Sequence, residues 1–275
     1  MRNLLSAGGA RLRKNKLFWI LLLFMFGMGA YIAGAQYMDS IRYQEKVFFD
    51  SCLFNYVAII GCCTAVFCSM FTGTEYSDGT IRNKLLVGHS RKSIYGSELM
   101  ISIFAAFLMD LAYLLSYGIL GMILFPSSEL STGILLFFML LTLFTSMAFV
   151  SLYHMLTMLI GKKSVAAVVC LLVFFALFMM AVVIMGKLQA PEFVSGYSLT
   201  LNGVEQTAPE PNPKYLQPAA RRVYQFFYDL LPSGQGIQLA SREVLNPVQL
   251  MIYAATVSVV TTVSGIVVFG KKDLK

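Results

Sequence analysis

Asp110 is the residue of this sequence whose type and position most clearly suggest a functional role, because it places a carboxylate among apolar residues. It lies deep inside a long apolar stretch, and Tyr113 and Tyr117 share its face at helical spacing. A charged side chain at the centre of a bilayer costs about 2.5 to 3.5 kcal/mol on insertion scales, so its presence requires a reason. These three residues could line a path for a substrate. Alternatively, Asp110 could bond to a neighbouring helix or lie near the outer surface.

His154 is a second polar residue within an apolar stretch, and Ser151 and Thr157 accompany it. This setting is typical of a side chain that forms hydrogen bonds between helices. Because neither Asp110 nor His154 has a partnered base deep in the same stretches, the two would make a poor proton relay.

The sequence contains no motif for ATP hydrolysis. A phosphate loop requires G-x-x-x-x-G-K-[ST]. The nearest segment, residues 161–164, lacks the first Gly and has no Ser or Thr directly after the first Lys. Zinc-protease, nucleophile-elbow and dinucleotide-binding patterns are also missing from the sequence. Energy for any work must therefore come from a partner or from an ion gradient.

Composition and segment length predict an all-α polytopic membrane protein with six transmembrane helices. Of the 275 residues, 57% are hydrophobic and 13% are charged. Six stretches reach the length of about 20 apolar residues that a span needs. We therefore interpret residues 1–275 as a single transmembrane domain. The predicted spans are approximately 17–35, 47–71, 94–125, 133–160, 164–185 and 248–269.

All five cysteines fall within these predicted spans, and the sequence has no C-x-x-C pair or Cys/His cluster. We therefore expect free, buried thiols and no metal site. The cysteines are Cys52, Cys62, Cys63, Cys68 and Cys170.

The net charge of +7 comes from basic residues concentrated on one side of the predicted membrane. Fourteen of the 21 lysines and arginines lie on that side, whereas the short loops of the other side contain only Arg42 and Lys46. An excess of Lys and Arg in short loops marks the cytoplasmic side. We therefore expect a multi-pass protein of a bacterial-type cell membrane with both termini in the cytoplasm. Its basic residues would face anionic lipid rather than nucleic acid.

Two segments outside the spans have recognisable patterns. Residues 1–16 favour an N-terminal amphipathic helix at the inner surface, although they could be only a basic flank that sets orientation. The loop 186–246 is rich in proline, and within it Tyr215–Leu231 has apolar residues at the spacing of one helix face. We expect an extracellular cap between spans five and six, with an amphipathic helix on the membrane or over a cavity.

The predicted cytoplasmic loop 72–93 contains signals for a short helix. Thr80 can cap its start, and Gly88 suits the left-handed position after its end. Ile81 and Leu85 share one of its faces. A helix of one or two turns is not stable alone, so it must pack on something. The loop therefore predicts a docking element.

The loop carries the run Glu75-Tyr76 … Gly79-Thr80-Ile81-Arg82-Asn83 … Gly88-His89-Ser90-Arg91. This run resembles the inner loop of type-2 ATP-binding-cassette (ABC) permeases. In that family a glutamate, a G-T-I-R-like segment and a G-x-S-R-like turn form a coupling helix that sits in a groove of a separate ATPase. The six-span layout and enlarged last outer loop extend the similarity over essentially the whole chain. The resemblance implies an ATPase-facing loop that comprises Glu75, Gly79, Thr80, Ile81, Arg82, Leu85, Gly88 and Arg91.

The resemblance further implies a transport subunit and not an enzyme. ATP-Mg would be bound by a cytosolic ATPase subunit, with no cofactor in this chain, and a second permease copy would complete the pathway. The exported substrate would be amphipathic or hydrophobic, such as a peptide, a lipid-linked molecule or a drug. The alternatives are a membrane sensor or scaffold whose inner loop binds another cytosolic protein, and a gradient-driven transporter that uses Asp110.

Overall fold

The computed structural model describes residues 1–125, 127–194, 197–200, 203–206 and 209–272. Its helices are α1 (Arg2–Lys14), α2 (Lys16–Tyr43), α3 (Val57–Ser77), α4 (Thr80–Leu86), α5 (Arg91–Leu124), α6 (Thr132–Ile160), α7 (Lys163–Leu188), α8 (Pro218–Leu230), α9 (Pro232–Ser241) and α10 (Pro247–Lys271). Six of these, α2, α3, α5, α6, α7 and α10, are long and apolar enough to cross a membrane. The prediction of an all-α polytopic membrane protein is confirmed.

The second span begins later than the sequence predicts. α2 continues through most of the expected outer loop to Tyr43, and residues 44–56 form irregular structure and turns. Within this segment the Asp50 side chain is buried and accepts hydrogen bonds from the backbone N–H of Glu129 at 2.7 Å and the hydroxyl of Ser128 at 3.0 Å. A buried carboxylate must be paired, and these bonds hold the segment out of the helix.

Because α3 begins later than predicted, two of the residues discussed above, Glu75 and Cys52, lie in a different setting from the one expected. α3 runs from Val57 to Ser77, so Glu75 lies in its last turns rather than in a loop. Cys52 lies before α3 and outside the span, in contrast to the expectation. It is a free, half-buried thiol, and burial raises its pKa.

The helices pack closely where small residues face a neighbour. A Cβ added at Gly29 of α2 would lie 2.8 Å from the backbone oxygen of Tyr113 in α5. One added at Gly265 of α10 would lie 2.1 Å from the hydroxyl of Tyr95. Such small residues allow helix backbones to approach in a membrane, where tight packing drives association. α3 lies between α5, α6 and α7 and has the largest share of buried residues, whereas α2, α7 and α10 have the smallest.

α1 packs along α5 and is amphipathic, as expected for the N-terminal segment. Leu4 and Leu12 are buried, while Arg2, Arg13 and Lys14 are exposed. α1 and α4, together with residues 161–162 and 269–272, form one end of the bundle. We call it the basic end.

The opposite end, here called the cap end, contains residues 44–56, 127–131 and the described part of 189–246. Strands β1 (Phe193–Val194) and β4 (Glu210–Pro211) pair antiparallel, as do β2 (Tyr197–Thr200) and β3 (Gly203–Gln206). The predicted amphipathic helix is present as α8. The sequence did not predict α9, which packs against α3, α6 and α7.

α9 reaches these spans because of its glycines. A Cβ at Gly236 would lie 2.9 Å from the carbonyl oxygen of Val57. The buried Gln235 side chain beside it donates to the carbonyl of Asp229 at 2.8 Å and accepts from the hydroxyl of Thr145 at 3.1 Å. Paired polar side chains of this kind allow a polar segment to be buried among apolar helices.

Candidate functional site

α4 is a seven-residue helix between two glycines in the left-handed conformation. Gly79 has φ of 68° and Gly88 has φ of 96°. A Cβ at either position would meet nothing within 4 Å, so the backbone conformation rather than space requires glycine. The left-handed Gly88 was correctly predicted. The cap was not, because Gly79 precedes the first helical residue and Thr80 instead donates its hydroxyl to the carbonyl of Glu75 at 3.0 Å.

Only one face of α4 packs on the rest of the chain. Ile81 is buried in the core and Leu85 is half-buried, whereas Leu86 and Val87 expose 85% and 78% of their surface. Adjacent exposed apolar side chains outside a membrane span are typical of an interaction surface. We call Leu86 and Val87 the apolar tip. The sequence contains a signal for the apolar tip. Residues 85–87 are three consecutive apolar residues, and a short helix with one packed face cannot bury all three of them.

Lys84 anchors α4 through a group of four charged side chains, of which the two carboxylates are buried. Its Nζ lies 2.5 Å from Oε2 of Glu75 and 2.8 Å from Oε1 of Glu98. Arg11 contacts the same two carboxylates, with 2.6 Å between Nη2 and Oε2 of Glu98. We call Arg11, Glu75, Lys84 and Glu98 the charge cluster. It joins α1, α3, α4 and α5.

The charge cluster depends on the balance of its charges because the carboxylates are shielded from solvent. Glu75 is 5% exposed and Glu98 is 0% exposed. Removing one partner of such a group leaves an uncompensated buried charge, which is strongly destabilising. The guanidinium carbon of Arg11 also lies 3.7 Å from the centroid of the Phe71 ring, where the aromatic face attracts a cation. A displacement of α4 would therefore act on α3 and α5 through Lys84.

The basic end also holds the helix ends together through cations on backbone carbonyls. Arg91 donates to the carbonyl of Phe269 at 3.0 Å and contacts that of Lys272. Lys272 in turn donates to the carbonyls of Met158 at 3.0 Å and Leu159 at 2.8 Å. Burial lowers the pKa of Lys272. Helix C-termini attract cations, so these contacts stabilise the ends of α10 and α6.

The structure separates the eight residues predicted to face an ATPase into four settings. Arg82 is exposed on α4, and Ile81 and Glu75 are buried. Arg91 points to the end of α10 rather than away from the chain. The other four residues shape and position α4; they are Gly79, Thr80, Leu85 and Gly88. Direct docking by all eight stays a prediction. The sequence interpretation did not include Arg11, whose partner Glu98 is 87 positions away, or Lys84, whose partners are 9 and 14 positions away in other helices.

The predicted substrate-path residues also divide into two groups. Tyr113 donates to the carbonyl of Cys52 at 2.9 Å, and Tyr117 donates to that of Phe49 at 2.9 Å. Their stacked rings, with centroids 5.9 Å apart, hold the segment that precedes α3. Asp110 lies apart from these bonds, in a cleft between α5 and α6. The role of the three residues in a substrate path stays a prediction.

The cap end has its own group of charged side chains. Arg242 Nη1 lies 2.8 Å from Oδ2 of Asp50 and 3.0 Å from Oε2 of Glu129. Burial by itself raises the pKa of Asp50. The hydrogen bonds from the Glu129 backbone and the Arg242 side chain outweigh burial, so the net pKa lies below its usual value. Asp229 differs, because burial raises its pKa even though Gln238 donates to it at 3.0 Å.

Within the described residues, no three or more His, Cys, Asp or Glu side chains are grouped so as to hold a metal ion.

The family of the chain is shown by comparison with protein-family models. No curated protein matches the chain. A family model described as "ABC-2 family transporter protein" matches residues 4–194, which is more than two thirds of the chain. The matched range includes α4, the charge cluster and Asp110. The chain therefore belongs to the ABC-2 family of transporter proteins.

Proposed function

We propose that this chain is the permease of an ABC exporter and that α4 receives mechanical work from a separate ATPase subunit. Membership of the family makes the chain a membrane transport component that associates with an ABC ATPase. The proposal adds where the ATPase docks and how its movement reaches the membrane spans.

The observation that carries the proposal is the two-sided construction of α4. Ile81 and Lys84 attach one side to the bundle, while the apolar tip of Leu86 and Val87 faces away from it. A helix this short is unstable by itself, so its two sides favour a connection between two bodies. The apolar tip fits a groove on a partner, and the exposed Arg82 beside it adds a charge at the rim.

Lys84 and Ile81 provide the route for the movement. When the ATPase displaces α4, the charge cluster pulls on the end of α3 and the beginning of α5, because Lys84 bonds to a carboxylate in each. Ile81 packs in the same core as both helices. Such a rearrangement would move the spans as rigid bodies.

The remaining features of the proposal concern orientation, stoichiometry and cargo. The distribution of basic residues supports a cytoplasmic basic end, where ATP is available. The resemblance to type-2 ABC permeases supports a second copy of the permease. The apolar character of the spans favours an amphipathic or hydrophobic exported molecule.

Substitution of the apolar tip tests the docking site. We expect Leu86→Asp combined with Val87→Asp to abolish co-purification of the ABC ATPase and to lower ATP turnover by the complex at least tenfold. The two side chains are exposed, so the variant should retain its unfolding temperature. The matched control is Leu245→Asp at the cap end, an equally apolar residue that is 71% exposed.

The outcome separates the proposal from its rivals. If the tip variant keeps both ATPase assembly and turnover, α4 is not the docking site. If the tip variant loses a different cytosolic protein instead, the sensor or scaffold hypothesis is favoured. A gradient-driven transporter would lose transport on Asp110→Asn and would need no ATPase.

A further inference from the structure

Asp110 lies at the base of an apolar cleft between α5 and α6. The cleft has a volume of about 470 Å³ and is open at the surface of the helix bundle. Its walls include Met100, Phe104 and Phe107 from α5 and Phe144 from α6. Among the described residues that line the cleft, the one acidic side chain is that of Asp110, which is 1% exposed.

The polar groups at the base of the cleft lack partners. Among the described residues, no group meets hydrogen-bonding geometry with either carboxylate oxygen of Asp110. The hydroxyl of Ser146, which also lines the cleft, is a neighbouring candidate donor, but it too makes no hydrogen bond of good geometry. The ion pairs within the described chain do not include Asp110. Buried polar groups in proteins are normally paired, so these atoms point to a missing partner.

We infer that this cleft binds a hydrophobic molecule that carries one protonated amine. The ammonium would donate to the carboxylate of Asp110 and to the hydroxyl of Ser146, and the apolar body would lie between the aromatic and methionine side chains. The inference deepens the proposed function by naming a chemical class for the exported molecule. It rests on that function for transport only, because binding does not require the ATPase.

The chemistry of the cleft favours this class of ligand. Attraction between opposite charges is much stronger in an apolar environment than in water, so one carboxylate there selects for a cation. Phenylalanine faces attract cations as well, and methionine adapts to ligands of different shapes. The volume falls within the range of sites for drug-sized molecules.

A second copy of the chain cannot provide the missing cation at this depth. Asp110 lies near the middle of α5, and Ser146 lies near the middle of α6. Lysines and arginines of the spanning helices are confined to their ends, such as Lys163 and Lys187 in α7. A neutral acyl chain would fill the walls but would leave the carboxylate without a partner.

Dansylcadaverine provides a direct test, because it combines a primary amine with a fluorophore that reports an apolar environment. Its N-acetyl derivative has the same fluorophore without the charge. We expect purified chain in lipid nanodiscs to bind the amine at least tenfold more tightly than the acetylated form. Asp110→Asn should remove this difference, and Ser146→Ala should weaken amine binding about threefold. The matched control Glu192→Gln removes an exposed carboxylate and should change neither affinity.

A second variant keeps the test valid if Asp110→Asn does not fold. Ser146→Leu retains the carboxylate but fills the base of the cleft, and it should reduce binding of both probes. Equal binding of the two probes to the unmodified chain would overturn the inference. So would an oxidative dimer cross-link that appears only after Phe104→Cys, since it would show that another copy covers the cleft.

Probe binding and ATP turnover, measured together, distinguish this inference from the proposed function. If the amine binds but ATP turnover is unaffected by the apolar tip variant, the cleft is a ligand site and the docking proposal is wrong. If the tip variant abolishes turnover but the cleft does not discriminate the two probes, the docking proposal holds and the ligand assignment is wrong.

Discussion

The two ends of the bundle both neutralise buried carboxylates, but they use different kinds of partner. At the basic end, Glu75 and Glu98 are neutralised by Arg11 and Lys84, which belong to helices outside the spans. At the cap end, Asp50 accepts from a backbone N–H and a serine hydroxyl as well as from Arg242.

This difference indicates what each end can do. Side-chain ion pairs from α1 and α4 can transmit or release a displacement of these helices, because in the described part of the chain no backbone N–H donates to the carboxylate of Glu75 or Glu98. The partly backbone-based pairing at the cap end holds residues 44–56 in place even if Arg242 moves. The basic end is therefore suited to receive movement, and the cap end is suited to resist it.

The largest expected effect comes from unbalancing the charge cluster. Glu98→Gln leaves Arg11 and Lys84 with one carboxylate in a buried setting, and we expect a loss of about 3 to 5 kcal/mol in unfolding free energy. Chemical denaturation in detergent or nanodiscs would measure it. Combining Glu98→Gln with Lys84→Gln restores the balance and should recover part of the loss. The control is Asp78→Asn, which removes an exposed carboxylate. If Asp78→Asn and Glu98→Gln lowered the unfolding free energy by comparable amounts, the role of the charge cluster would be contradicted.

Removal of the cation at the cap end should have a smaller effect. In Arg242→Gln, Asp50 keeps the N–H of Glu129 and the hydroxyl of Ser128, so we expect a loss of about 2 kcal/mol, typical of a hydrogen bond to a charged group. The same denaturation assay applies. A loss as large as that of Glu98→Gln would remove the distinction between the two ends.

A change in the backbone conformation at the end of α4 should lower stability by less than the removal of Arg242. Gly88→Ala forces a Cβ into a left-handed position and should destabilise the end of α4 by about 1 kcal/mol. Faster hydrogen exchange at the amides of α4, without a change in exchange at the cap end, would show this local effect. Gly118→Ala is the matched control, because an added Cβ there meets nothing within 4 Å and its φ is not positive.

The smallest expected effect is on the pH dependence of stability. The pKa of Asp50 is lower in the folded chain than in the unfolded chain, so the folded state binds fewer protons and its stability rises with pH. The contribution is present above the unfolded pKa of about 3.9 and is lost as the pH falls through the lower folded pKa. Asp50→Asn should flatten the unfolding temperature between about pH 5 and pH 3. An unchanged slope would show that Asp50 does not have this lowered pKa.

Much of the architecture follows from local patterns in the sequence. Helices of the structure begin near the predicted span starts at residues 17, 94, 133, 164 and 248, because each is a continuous apolar run of spanning length. The second span was predicted to begin too early. Residues 47–49 are apolar, but the buried Asp50 after them is held by Ser128 and Glu129, which lie far along the chain.

The candidate site was only partly predictable for the same reason. The short helix, its left-handed Gly88 and the buried Ile81 depend on residues within one or two turns of each other. The charge cluster instead joins Arg11 to Glu98 across 87 positions, and no spacing rule relates such residues. Arg91 was expected to belong to an ATPase-facing loop, and its donation to a carbonyl at the end of α10 had no signal in the sequence.

The sequence by itself determined the membrane class, the six candidate spans, the short helix α4 and the family resemblance. These depend on hydrophobicity, length and neighbouring residues. Only the tertiary structure decided that α9 packs among the spans, that Leu86 and Val87 form an exposed tip, and that Asp110 faces a cleft without a partner. The physical reason is that burial and pairing depend on which surfaces meet, and this is set by the packing of helices that are distant in the chain.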